Sequence, residues 1–203
     1  GLFRSARVEK AMLQVDRIDF CPRDPYADSP QMIGSNATIS APHMHANALE
    51  ELEEHLTEGS RVLDVGCGSG YLTVAMALMV GPSGSVVGIE HIPDLVLLAT
   101  HNIARHHSSL LESGRIRIVE GDGRRGFPEG GPYNAIHVGA APTEMPEELV
   151  NQLAEGGRMV IPVGRKHQVF YEVDKREGRI NTRRLYGVSY VPLTTKEEQL
   201  KRF

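Results

Sequence analysis

Apolar positions change their rhythm near residue 60. Before it they recur at helical spacing. Val8, Ala11, Met12 and Val15 share one face of a helix expected over Arg4–Asp16, and Ala46, Leu49 and Leu52 share a face of one expected over His43–Leu56. Between them, Pro22, Pro25, Pro30 and Pro42 exclude a long helix or a central strand, so 21–42 reads as an irregular surface loop. After residue 60, short apolar runs alternate with longer helical ones. Strands are expected at Arg61–Val65, Ser85–Glu90, Arg115–Val119, Ala135–Val138 and Arg158–Val163, and helices at Tyr71–Val80, Asp94–His107 and Pro146–Leu153. That order predicts an α/β fold of Rossmann-like type: a mainly parallel sheet with helices on both faces. The tail differs. Val169–Val173, Asn181–Leu185 and Gly187–Val191 read as short strands separated by turns, the simplest account being antiparallel C-terminal additions at one sheet edge. No linker divides the chain, so 1–203 is expected to be one domain: N-terminal helices and loop over 1–59, a βα core over 60–164 and an antiparallel extension over 165–203.

Chemistry enters at the first strand-to-helix turn, Val62-Leu63-Asp64-Val65-Gly66-Cys67-Gly68-Ser69-Gly70. Glycine at alternate positions allows a tight turn and close approach of a ligand. Glu90 ends the next expected strand, where its carboxylate can accept from both hydroxyls of a ribose. Asp122 follows the third, placed to receive the exocyclic amino group of adenine. A dinucleotide fingerprint would need a third small residue at position 71, where Tyr71 stands, and Asp64 just before the glycines would oppose a pyrophosphate. An acid there suits the amino group and positive sulfonium of S-adenosylmethionine.

Composition narrows the setting. Net charge is −4 with no basic block, which gives no footprint for nucleic acid, and no apolar run approaches membrane-spanning length. There is no Trp and only 5% aromatic residues, which leaves no clamp for a flipped base. Two cysteines, Cys21 and Cys67, make no disulfide framework and fit a reducing, cytoplasmic compartment. Cys67 is expected to pack as a small residue, Met76 and Met79 to be core, and His106-His107 to mark an exposed helix end. His43 and His45 have no Cys or carboxylate to complete a ligand set, so no metal is expected.

Leu63-Asp64-Val65-Gly66-Cys67-Gly68-Ser69-Gly70 resembles the first motif of the seven-strand S-adenosylmethionine-dependent methyltransferases. That motif speaks for the cofactor and not for the acceptor. The acceptor is suggested by Ala37-Thr38-Ile39-Ser40-Ala41-Pro42-His43-Met44-His45, hydroxyls and imidazoles leading into a helix start that would favour an anion. This stretch resembles the substrate loop of the protein L-isoaspartate (D-aspartate) O-methyltransferases, eukaryotic members above all. So do Pro25–Gln31, Val119–Arg124, Ala135–Ala141 and Tyr190–Thr194.

The resemblance implies methyl transfer from S-adenosylmethionine to the free carboxylate of isoaspartyl residues in damaged proteins. Repair then runs through a succinimide, with S-adenosylhomocysteine as product. It implies Ser40 as the catalytic residue and Thr38, Ile39, Ser40 and His45 as substrate-binding. It implies cofactor contacts at Ala37, Thr38, Ile39, Ser40, His45, Asp64, Gly66, Gly68, Ser69, Gly70, Glu90, Asp122, Gly123, Thr194 and Gln199. Expected partners are isoaspartyl peptides and proteins, without nucleic acid or membrane, and the chain is expected to be a monomer. Relatives usually carry a further helical segment before the position of Gly1, and their counterpart of the Gly164–Gln168 loop is longer.

Overall fold

A computed structural model describes residues 3–201. Its centre is a seven-stranded sheet in the order β5-β4-β3-β6-β7-β8-β9, formed by β3 (Arg61–Val65), β4 (Ser85–Glu90), β5 (Ile116–Glu120), β6 (Tyr133–Val138), β7 (Leu153–Val163), β8 (Gln168–Arg176) and β9 (Arg179–Val188). Pairings from β5 through β7 are parallel, and β8 and β9 add antiparallel to β7. A separate hairpin pairs β1 (Gln31–Gly34) with β2 (Ala37–Ile39).

Side chains alternate across the sheet, and the two faces are covered unequally. Val62, Val86, Ala135 and Val160 pack into one apolar cluster with buried residues of α1 (Ala6–Leu13), α2 (Pro42–Leu52), α3 (Tyr71–Met79) and α4 (Pro93–Glu112). Leu63, Val65, Ile136 and Ile161 pack into the other, where the helical contribution is Leu149 of the one-turn α5 (Glu147–Val150). Each Val, Leu or Ile side chain so taken from water contributes about 1.5–3 kcal/mol. Among the described residues no helix is long and apolar enough to cross a membrane.

Several expected boundaries move for identifiable reasons. The first helix stops at Leu13, because Asp16 caps a new 3-10 turn over Arg17–Asp19 by accepting from the Ile18 N–H at 3.2 Å. The Pro-rich stretch is not loop throughout: between Pro30 and Ala41 it folds as the β1–β2 hairpin, whose turn places Ser35 and Asn36 at positive φ. The α4 helix runs on to Glu112, with His107 out of helical geometry, and His106 meets Asp19 at 2.6 Å rather than standing free at an end. The segment expected as a helix over Pro146–Leu153 keeps one turn, since Leu153 already pairs with Tyr133 as the start of β7. Of the three expected tail strands the last two, Asn181–Leu185 and Gly187–Val191, are one strand, β9, which ends at Val188 and is bulged opposite Phe170 and Tyr171. Beyond it the chain returns over the carboxyl ends of the parallel strands, where the Ala141 N–H donates to the Val191 carbonyl at 2.7 Å and the Leu193 N–H to the Ala141 carbonyl at 2.8 Å. A short α6 (Lys196–Leu200) follows.

Candidate active site

The strand β3 ends at Val65 and the chain reverses into α3 within five residues, Gly66 to Gly70. The turn is anchored to the neighbouring strand, for the Gly66 and Cys67 N–H groups both donate to the Ile89 carbonyl, at 2.9 and 3.2 Å. Two glycines here are structurally required. Gly70 has φ +88°, and a Cβ on it would stand 3.1 Å from Cδ1 of Ile103 on α4. Gly66 has φ +73° with no atom closer than 4.0 Å to its would-be Cβ, so any side chain there would enter open cleft.

That cleft opens above the carboxyl ends of β3, β4 and β6 and is roofed by the returning tail. Its floor is Gly66, Gly68 and Gly139, its acidic wall Glu90, and its apolar side Ile89, Pro192 and Leu193. Glu90 is held from behind: Oε1 accepts from the His91 N–H at 2.9 Å and Oε2 from the Gly68 N–H at 3.3 Å. Burial raises its pKa, while those backbone donors oppose the rise. An acid fixed at a strand end, bare backbone and an apolar slot suit a nucleoside with a cationic tail, and the acid disfavours a phosphate. Gln199 closes the roof. Its side-chain amide donates to the Ser35 carbonyl at 2.9 Å, its backbone carbonyl accepts from Asn36 at 2.8 Å, and its side-chain oxygen meets Nε2 of His91. Thr194 also lines the cleft and donates to Glu198.

A second chamber shares the wall Thr38, Gly139 and Val191 with the first. Ser40 lines this chamber and not the first. Its position comes from the β1–β2 hairpin on one side and Pro42, the first residue of α2, on the other. Beneath it lies Arg17, only 5% exposed. Its Nη2 donates to the Ser40 carbonyl at 3.1 Å, its Nε to the Pro25 carbonyl at 2.7 Å, and its Nη1 to Nδ1 of His45 at 3.3 Å. The guanidinium also lies over the Tyr71 ring at 5.3 Å. Burial lowers its pKa, yet arginine remains a cation at neutral pH. Among the described residues no carboxylate forms an ion pair with it. Asp28 lies within its field without pairing with it, so a buried cation behind Ser40 still favours an anion on that side. His45 stacks on Tyr71, with ring centroids 5.1 Å apart. Burial first, then the Arg17 charge, drives its pKa well down and keeps it neutral.

The structure does not bring every expected ligand residue to the cavities. Ala37, Thr38, Gly66, Gly68, Glu90, Gly123, Thr194 and Gln199 line the first chamber, and Thr38 and Ser40 the second. Asp64 is 1% exposed and lies behind the glycine turn, where Oδ2 accepts from Thr73 Oγ1 at 2.7 Å and Oδ1 from His137 Nδ1 at 2.8 Å. In this structure Asp64 supports the turn from behind and lines neither chamber. Ile39 is core, Gly70 caps α3, and Ser69 is buried with its carbonyl accepting from Asn102. His45 is buried with Arg17 and Tyr71 instead of reaching either chamber. Asp122 does not line the first chamber. Arg124 grips its carboxylate at 3.0 and 2.7 Å and holds its pKa down, and the pair borders an adjacent opening beside His91. Sequence reasoning missed Arg17, His91 and Gly139. Gly139 was findable, since it follows the fourth parallel strand at the same sheet edge, and so was His91, directly after Glu90. Arg17 carries no local signal. Among the described residues no group of three His, Cys, Asp or Glu could hold a metal.

Comparison with known proteins agrees with this geometry. The family profile for protein-L-isoaspartate (D-aspartate) O-methyltransferase matches residues 1–198. A Caenorhabditis elegans protein-L-isoaspartate O-methyltransferase is 59% identical, over 99% of this chain and 90% of its own length. One from Triticum aestivum is 50% identical, over 99% and 89%. A solved Plasmodium falciparum structure, assigned to the same activity and in complex with S-adenosyl-L-homocysteine, superposes with a TM-score of 0.90 at 41% identity, covering 96% of this chain and 93% of that one. The chain therefore belongs to the protein-L-isoaspartate (D-aspartate) O-methyltransferase family, enzymes that take their methyl group from S-adenosylmethionine.

Proposed function

We propose that the two chambers divide the methylation of isoaspartyl carboxylates between them, S-adenosylmethionine in the first and the acceptor carboxylate in the second. The supporting observation is their common wall, Thr38, Gly139 and Val191, across which a methyl group would pass with Ser40 on the acceptor side only. Bound in its chamber, S-adenosylmethionine supplies an electrophilic methyl on a positive sulfur and becomes S-adenosylhomocysteine. Glu90 accepts from ribose hydroxyls, Gln199 with His91 keeps the roof shut, and Leu193 and Ile89 exclude water beside the base. The acceptor needs no general base, because a carboxyl group of pKa about 4 is ionised at neutral pH. One carboxylate oxygen forms the new bond to the methyl carbon, the bonding pair returns to sulfur, and no proton moves. What the chain supplies is alignment and a dry setting.

In this reading Ser40 donates a hydrogen bond from Oγ that orients the carboxylate. Arg17 fixes the Ser40 backbone and favours the anion through its buried charge. Asp64 secures β3, α3 and β6 through Thr73 and His137 beneath both chambers. The methyl ester is a better leaving group than the carboxylate, so the following backbone nitrogen closes a succinimide with loss of methanol, and hydrolysis returns some normal aspartate. Action as a monomer in a reducing, cytoplasmic setting, without nucleic acid or membrane, belongs to the same proposal. The two free, buried cysteines fit such a setting.

The test is methyl transfer from labelled S-adenosylmethionine to two peptides differing only in isoaspartate or aspartate. Base-labile label on the isoaspartyl peptide alone is expected. Label on neither, with cofactor still bound, would replace this reading by a different acceptor.

A further inference from the structure

The acceptor chamber does not end at Ser40. It shares Pro30, Met44 and Ser189 with an open groove of about 1340 Å³ that runs outward between α2, the turn joining β7 to β8, and β9. The groove is charged on one side. Lys166 and His167 stand on the β7–β8 turn, Arg184 projects from β9, and no carboxylate lines it. Asp28, at its edge, is taken up by His43, whose Nδ1 lies 2.8 Å from Asp28 Oδ1. Neighbouring residues on β9 show the contrast. Arg183 is used in the fold, its Nη2 at 2.8 Å from Glu172 Oε2, whereas Lys166 and Arg184 form no ion pair among the described residues. Successive residues of a strand face opposite ways, so the two arginines serve different surfaces. The charge of the whole chain is −4, and this basic lining is a local departure from it.

We propose that this groove receives the polypeptide flanking the isoaspartyl residue, and that Lys166 and Arg184 make the enzyme prefer substrates with acidic residues on that flank. The proposal rests on the two-chamber reading, because the groove gains its occupant from continuity with the acceptor chamber. A substrate chain entering at Ser40 has to leave the chamber, and the shared Pro30, Met44 and Ser189 lead it past both cations. Exposed charge pairs of this kind contribute little each, so two together are expected to change the peptide KM about three- to tenfold, with kcat nearly constant and the effect fading as salt rises.

The experiment uses isoaspartyl peptides that carry neutral residues, a Glu-Glu pair or a Lys-Lys pair at successive positions on either flank. Initial rates of labelled methyl transfer are compared for the wild-type chain and a Lys166→Glu/Arg184→Glu double variant. Both positions are exposed, so the variant is expected to fold, with melting temperature as the check. Wild type is expected to favour the Glu-Glu peptide on one flank only, at low ionic strength, and the double variant to favour Lys-Lys at the same positions. Equal treatment of all flanks by wild type, or an acidic preference that survives the charge reversal, would overturn the groove assignment while the methylation reading stands. No labelling of the neutral isoaspartyl peptide by wild type would instead overturn the methylation reading, and the groove proposal with it.

Discussion

The floor and acidic wall of the first chamber are drawn from residues that follow one another at neighbouring strand ends: Gly66 and Gly68 after β3, Glu90 closing β4, Gly123 after β5, Gly139 after β6; Ala37, Thr38 and the returning tail only close it. The second gathers Pro30, Ser40, Met44 and Ser189 from both ends of the chain, and a buried arginine from a fourth place underlies it. The first chamber also has its acid tied to its own backbone, Glu90 to the Gly68 and His91 N–H groups. The second takes its electrostatics from Arg17, whose side-chain donors reach the Pro25 carbonyl in the following loop and Ser40 and His45 beyond the hairpin. A parallel sheet places ligand groups at one edge as a consequence of its topology, so the floor and acidic wall of the first chamber come with the fold. The second is an attachment and depends on tertiary contacts holding a hairpin in place.

That contrast makes the two chambers separable by mutation. The largest expected effect is on the cofactor side. Glu90→Ala removes a charged acceptor from hydroxyl donors and should weaken S-adenosylhomocysteine binding about a hundredfold or more in calorimetry. If Glu90→Ala left that affinity unchanged, the first chamber would not be a ribose site. Next is Arg17→Met, which keeps the length and apolar stem but orphans the Ser40 and Pro25 carbonyls. We expect kcat/KM for an isoaspartyl peptide to drop about ten- to hundredfold. Cofactor affinity should hold within a few fold, and Arg17→Lys should rescue little, since one ammonium cannot reproduce the guanidinium fork. Comparable losses in both quantities would remove the distinction drawn for Arg17.

A smaller effect belongs to the roof. Gln199→Ala deletes the side-chain links to Ser35 and His91, and S-adenosylhomocysteine should dissociate about three- to tenfold faster in stopped-flow displacement. An unchanged off-rate would mean that the tail does not gate release. The smallest concerns pH. His45 is buried against Arg17 and Tyr71, with His137 near, and its folded pKa lies well below its usual value. The unfolded chain therefore binds a proton there that the folded chain refuses. Stability should decline as pH falls below about 6.5, by up to ~1.4 kcal/mol per pH unit from this group. Thermal melts at pH 7.5 and 5.5 should converge in His45→Gln relative to wild type. An identical pH dependence in the two proteins would remove His45 from the account.

How far the sequence revealed this molecule follows the same division. The bounds of β3 and β4 were readable to the residue, because Arg61–Val65 and Ser85–Glu90 are short apolar runs closed by a glycine turn and an acid. The hairpin of β1 and β2 was not, since the prolines around it spoke for loop and its turn residues, Ser35 and Asn36, are ordinary types in an uncommon conformation. Glu90 was legible as a cleft residue from its place at a strand end. Asp64, equally placed, turned inward because Thr73 and His137 meet it there, a contact made across two other elements. Arg17 was illegible for the same reason: a lone arginine after a helix carries no mark until the fold buries it. Ser40 was reachable only through resemblance, and its separation from the first chamber only through geometry.

The measurement that most directly tests this division is a paired one on Ser40→Ala: S-adenosylmethionine affinity by calorimetry, and turnover of an isoaspartyl peptide with the same preparation. Loss of an orienting donor at the reacting carboxylate should lower kcat about a hundredfold, with cofactor affinity within about twofold of wild type. Equal losses in affinity and turnover would place Ser40 in the cofactor chamber and contradict the two-chamber account.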